Sequence, residues 1–93
     1  MTKTATRTVR VTNPQGLHLR PCSAIVDTVK RHRAHVLVRK GSQSTNATSI
    51  LGLLSLAAHS GTELVLSATG AEADEVLDAL VNLFREEFEM VYC

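Results

Sequence analysis

An α+β two-layer sandwich, with an antiparallel sheet and three helices on one of its faces, is the fold class predicted by this sequence. Two observations carry the prediction. Short alternating or β-branched runs interleave with segments of helical period in the order β-α-β-β-α-β-α, and neither a repeat nor a linker divides the 93 residues. Residues 1–93 therefore read as one domain, with a core over 6–88 between a flexible start and a flexible tail.

Each element has its own signature. Thr6 to Thr12 alternates, with Val9 and Val11 on one face and Arg10 on the other, the pattern of a strand with one wet side. After the turn residues Asn13-Pro14-Gln15-Gly16, Leu19 to about Arg31 places Cys22, Ile25, Val26 and Val29 on one helical stripe. Ala34 to Arg39 is short and β-branched, Lys40-Gly41-Ser42 is a turn, and Gln43 to Ala47 is a polar returning strand. Ser49 to Ala58 reads as a short helix opened by a serine cap and stopped at His59-Ser60-Gly61, with Leu53 and Leu56 as its core residues. Glu63 to Ser67 is the fourth strand. Ala73, Val76, Leu77, Leu80, Leu83, Phe84 and Phe88 mark a longer last helix, with Glu72, Asp74 and Glu75 in its first turn, where the helix dipole favours acids. The second face of the sheet is expected to be wet, carrying Arg7, Arg10 and the polar third strand.

Composition narrows the function classes. Hydrophobic residues at 44% and charged residues at 20% exclude disorder, and no apolar run reaches the length of a membrane span. The start MTKTATRTVRVTN lacks the apolar centre of a secretory signal, so a cytoplasmic address is expected. Cys22 and Cys93 stand far apart without metal or redox spacing and are expected to be free thiols. The charge is divided: Met1 to Lys40 holds nine Lys and Arg against Asp27 alone, whereas Gly41 to Cys93 holds Arg85 against eight acids. Such polarity suits an acidic partner, but three aromatic residues make a poor stacking platform, so no nucleic-acid partner is expected.

The chemistry concentrates in Gly16-Leu17-His18-Leu19-Arg20-Pro21. Pro21 is at home in the first turn of a helix, which places His18 at a helix N-terminus. The backbone N–H groups of Leu19 and Arg20 point outward there, and the Arg20 guanidinium adds a fork suited to phosphate. A neutral imidazole in that setting is a nucleophile, and a phosphoryl group on its ring nitrogen would be held without a metal or cofactor. The plainer reading is that His18 is a polar helix cap.

Asn13-Pro14-Gln15-Gly16-Leu17-His18-Leu19-Arg20-Pro21 resembles the active-site signature of the HPr and NPr family, the histidine-containing phosphocarriers of the bacterial phosphoenolpyruvate-dependent phosphotransferase system. The resemblance continues through Ser49-Ile50-Leu51-Gly52-Leu53-Leu54-Ser55-Leu56 and the Gly61 and Gly70 pattern, to about Glu86. It implies an open-faced β-sandwich in which His18 is phosphorylated on Nδ1 by enzyme I and passes the group to a IIA-type protein. Arg20 would be the active-site arginine. Ser49 would match the serine modified in some bacteria by a dedicated kinase, and a phosphatase and a transcriptional regulator are then further partners. Cys22 stands where the family more often has alanine, and Gln15 where it often has asparagine or serine.

The second motif also has a reading on its own chemistry. Ile50, Leu51, Leu53, Leu54 and Leu56 go most of the way round a short helix, so some must be exposed; Ile50, Leu51 and Leu54, with Leu19, are the expected partner-facing residues. Phosphate on Ser49 suits a helix N-terminus but would repel an acidic partner, whereas the simpler role of Ser49 is an N-cap. His32, His35 and His59 offer no zinc spacing and are expected to be solvent-exposed; the thiol of Cys22, near a helix N-terminus, is expected to be somewhat acidic.

Two functions follow. The first is a monomeric phosphoryl carrier, a substrate of enzymes more than an enzyme, with His18 as acceptor and donor and Arg20 as stabiliser. The second is a regulatory binding module that acts through Ser49 phosphorylation and the Ile50, Leu51 and Leu54 patch, with His18 idle.

Overall fold

The computed structural model describes residues 3–86 and Phe88. The expected order is observed: β1 (Thr4–Arg10), α1 (Leu19–Lys30), β2 (His35–Lys40), β3 (Gln43–Asn46), α2 (Ile50–Ser55), β4 (Glu63–Thr69) and α3 (Ala73–Arg85). The strands form one antiparallel sheet in the order β1-β4-β2-β3. The connection through α1 therefore skips a place, and β4 enters last between β1 and β2.

Period-two alternation decides which sheet face is covered. Val36 and Val38 of β2 and Leu64, Leu66 and Ala68 of β4 are buried beneath the helices, and α1 contributes Cys22, Ile25, Val26 and Val29 to the same core. Full burial of the Val, Leu and Ile side chains among them contributes roughly 1.5–3 kcal/mol each. The other face carries Thr6, Thr8 and Arg10 of β1 and His35, Leu37 and Arg39 of β2, all exposed. Arg7 does not join them: it shares the parity of Val9, lies on the helix side, and reaches Asp74 at 3.4 Å and Asp78 at 3.6 Å on α3.

Element ends moved where tertiary partners required it. β4 runs on to Thr69 because both β1 and β2 pair with it there, through Thr4 and His35. For the same reason β1 starts at Thr4, and Gly70 N–H donates to Lys3 O. α2 stops at Ser55, well before the expected stop. Lys40 Nζ donates to Leu56 O at 2.7 Å and Ala57 O at 3.4 Å, and Ala57 turns into the left-handed region at φ 51°. α3 ends at Arg85 and not at Phe88; Phe88 folds back at φ 61°, its N–H donates to Leu83 O, and its ring meets Phe84 edge-on at a centroid distance of 4.9 Å.

Glu72 is likewise not in the first turn of α3. It stands at the N-cap position, and its carboxylate accepts the Arg33 backbone N–H at 2.6 Å. The expected tail beyond Phe88 and the Cys93 thiol fall outside the described residues.

Candidate functional site

The loop before α1 is built on hydrogen bonds that the turn residues provide. Gly16 N–H donates to Asn13 O, the buried Asn13 side-chain amide donates to Gly16 O, and His18 N–H reaches the same carbonyl at 3.2 Å. Gly16 sits at φ +69°, and a Cβ there would lie 2.5 Å from Ala58 O. That approach is needed because Leu17 N–H donates to Ala58 O at 2.9 Å, tying the loop to the end of α2.

His18 is the N-cap residue of α1, extended at φ −105° and ψ −169°, and its side chain makes no capping hydrogen bond. The ladder begins with Cys22 N–H to His18 O at 3.1 Å, so the amides of Leu19 and Arg20 head the helix as expected. The imidazole is half-buried, Arg20 is exposed in the first turn, and Pro21 is buried. A half-buried ring that makes no capping hydrogen bond, at the positive end of a twelve-residue helix, is equipped to receive an anion.

Ser49 is an N-cap in fact: its Oγ accepts Gly52 N–H at 3.0 Å. Leu53 and Leu56 are buried, as the spacing requires. The three residues assigned to a docking patch separate. Leu51 is 77% exposed, but Ile50 and Leu54 are half-buried against the core. Leu19, 61% exposed, supplies the second large apolar group, on the helix that packs beside α2.

Two expectations change. Burial, which disfavours a thiolate, pushes the Cys22 thiol up to about 11, so its surroundings outweigh the helix N-terminus. His32 is half-buried, with Nδ1 2.7 Å from Thr28 O, whereas His35 and His59 are exposed. Among the described residues no group of His, Cys, Asp and Glu could hold a metal ion. No described helix is long and apolar enough to cross a membrane.

Sequence reading missed the brace made by Asn13, taken only as a turn residue. An asparagine three residues before a glycine is a signal for such a side-chain-to-backbone turn. It also missed Ala58, because nothing local marks an alanine carbonyl as the anchor of a loop forty residues away.

Comparison with known proteins agrees with this geometry. The family model described as the PTS HPr component phosphorylation site matches residues 5–86. The chain is 36% identical over 83 residues to the phosphocarrier protein HPr of Treponema pallidum, covering 89% of this chain and 94% of that one. It is 33% identical over 88 residues to the phosphocarrier protein NPr of Escherichia coli K12, covering 92% and 97%. A crystal structure of HPr from Thermoanaerobacter tengcongensis superposes with a TM-score of 0.88 at 33% identity, over 95% of this chain and 99% of that one. With sheet order, histidine-led helix and family model in agreement, the chain belongs to the HPr family of phosphocarrier proteins of the phosphotransferase system.

Proposed function

We propose that the chain carries a phosphoryl group on His18, taking it from a phosphoenolpyruvate-charged enzyme I and delivering it to a IIA-type protein. The observation that supports this most is the placing of a half-buried imidazole at the N-cap of α1, with Arg20 in the first turn. The lone pair of His18 Nδ1 attacks phosphorus as the bond from phosphorus to the donor atom of enzyme I breaks, and the proton stays on Nε2. The amides of Leu19 and Arg20 and the Arg20 guanidinium stabilise the three phosphoryl oxygens. Return of the group to a IIA acceptor reverses these steps. Partner proteins complete both reactions, and no metal or cofactor of this chain takes part.

Leu19 and Leu51 are the apolar contacts offered to those partners, with Ile50 and Leu54 supporting them from partly buried positions. Ser49 is a point of regulation in the same reading: a phosphate there is tolerated by the N-terminus of α2 but places a dianion close to Leu51, where an acidic partner would approach. A Ser49→Asp chain is expected to fold and to accept the phosphoryl group more slowly, and an unchanged rate removes Ser49 from the scheme.

The deciding experiment is intact mass after incubation with enzyme I, magnesium and phosphoenolpyruvate. One acid-labile phosphoryl group is expected, absent from a folded His18→Ala chain. Equal labelling of that variant overturns the assignment of His18.

A further inference from the structure

The fold supplies partners for several of the nine Lys and Arg in the first half of the chain. Lys3 and Arg7 pair with Asp74, Arg10 pairs with Glu63 at 3.0 Å, and Lys40 caps α2. The stretch Lys30-Arg31-His32-Arg33-Ala34-His35, at the far end of α1 from His18, gathers cations that lack such partners among the described residues, as Arg39 on the open sheet face does singly. Lys30, Arg31, Arg33 and His35 are exposed, and among the described residues none of these four side chains has a hydrogen bond or an ion pair.

The segment that carries this charge is held firmly. Arg31 and His32 N–H groups donate to Thr28 O and Val29 O, and His32 Nδ1 donates to Thr28 O at 2.7 Å. Arg33 is clamped from both sides: its N–H donates to Glu72 Oε1 at 2.6 Å, and its carbonyl accepts Glu72 N–H at 3.0 Å. Glu72 is thus the carboxylate that touches the segment, and it takes a backbone amide in place of a guanidinium. Gly70 permits this close seat, since a Cβ there would lie 2.8 Å from Arg33 O.

Charge at a helix C-terminus has a structural explanation for Lys30 and Arg31, which complement the negative end of the dipole. It does not extend to Arg33 and His35, which lie beyond the helix. We infer that this basic pole is a second docking surface, for an acidic segment of a protein partner, separate from the His18 face and independent of the phosphocarrier reading. Paired guanidinium forks on a fixed backbone match carboxylates. The segment has no Phe, Tyr or Trp to serve as a base-stacking platform, and Ala34 is its one apolar residue, too little for insertion among lipids. The length of α1, about 18 Å at 1.5 Å per residue, leaves room for a partner to engage either end or both.

The test is an amide-resolved NMR titration of the full chain at physiological ionic strength with polyglutamate, oligodeoxythymidylate, and vesicles of phosphatidylserine and phosphatidylcholine. Polyglutamate is expected to bind most tightly and to shift residues 31–35 while leaving Leu19 and Ser49 in place. An Arg31→Ala/Arg33→Ala chain with an unchanged melting temperature is expected to bind it several-fold more weakly, and an Arg31→Lys/Arg33→Lys chain to bind at an intermediate level. Absence of shifts at 31–35, equal binding by the alanine chain, or tighter binding to vesicles or oligonucleotide overturns the inference.

Discussion

Gly16 shows how one residue fixes the reactive end of α1. Alanine there must hold φ near +69° and push against Ala58 O, a backbone atom that has already been placed by its bond to Leu17. Gly16→Ala is expected to cost about 1–3 kcal/mol and to displace His18, so that phosphoryl acceptance falls further than stability does. Urea midpoints beside initial labelling rates check this, and a stable variant with normal rates would show that the Ala58 contact does not position the histidine. Cys22 makes the opposite point, because its surroundings silence its chemistry. In a Cys93→Ser chain at pH 8, a thiolate-seeking reagent is expected to leave native Cys22 unmodified and to titrate one thiol on unfolding. Rapid native reaction would contradict the burial that pushes its pKa to about 11.

Among the elements, α2 depends most on its neighbours. Six residues are too few for a helix to be stable alone, and this one is fastened by Ser49 at one end and Lys40 at the other. Its face toward β3 works only with glycine: a Cβ on Gly52 would lie 1.9 Å from Thr45 Oγ1 and 3.0 Å from Ser49 Oγ. Gly52→Ala is therefore expected to destabilise the chain by about 1–3 kcal/mol although alanine favours helix, whereas Ser49→Ala costs about 1 kcal/mol by loss of the cap. Denaturant unfolding of the two variants separates these outcomes, and a stabilised Gly52→Ala chain would refute the packing argument.

For the whole molecule, β1 and α3 are joined at one end by an ion network of Lys3, Arg7, Asp74 and Asp78. The hydrogen bond from Lys3, together with the charges of Lys3 and Arg7, holds the Asp74 carboxyl below its ordinary 3.8, and Asp74 holds Lys3 above its ordinary 10.5. A depressed carboxylate pKa stabilises the fold above pH 3.8, and that contribution is lost as pH falls through the folded value. The raised lysine pKa stabilises below pH 10.5, and its contribution is lost as pH rises through the folded value. Asp74→Asn is accordingly expected to lower the melting temperature near neutral pH, with the gap from the parent chain closing below pH 3.8. Lys3 and Asp78 are exposed, and Arg7 and Asp74 are partly so, so the gap is small and shrinks with added salt. A gap that persists at pH 2 would assign the effect to packing.

The sequence by itself determined the order of elements, the buried stripes of the two longer helices, and the helix start at His18. Val36 and Val38, Leu53 and Leu56, and the stripe of α1 follow from local period, and Pro21 marks the helix start without reference to anything distant. Tertiary structure alone decided the rest. Arg7, expected on the wet face, lies on the helix side, where only the acids of α3 explain a charge. The end of α2 depends on Lys40 and Leu17, the seat of Arg33 on Glu72, and the inert thiol of Cys22 on the helices and strands closed over it. Local pattern reports conformational preference within a few residues, whereas hydrogen-bond satisfaction, desolvation and charge pairing depend on groups that the chain brings together only when it folds.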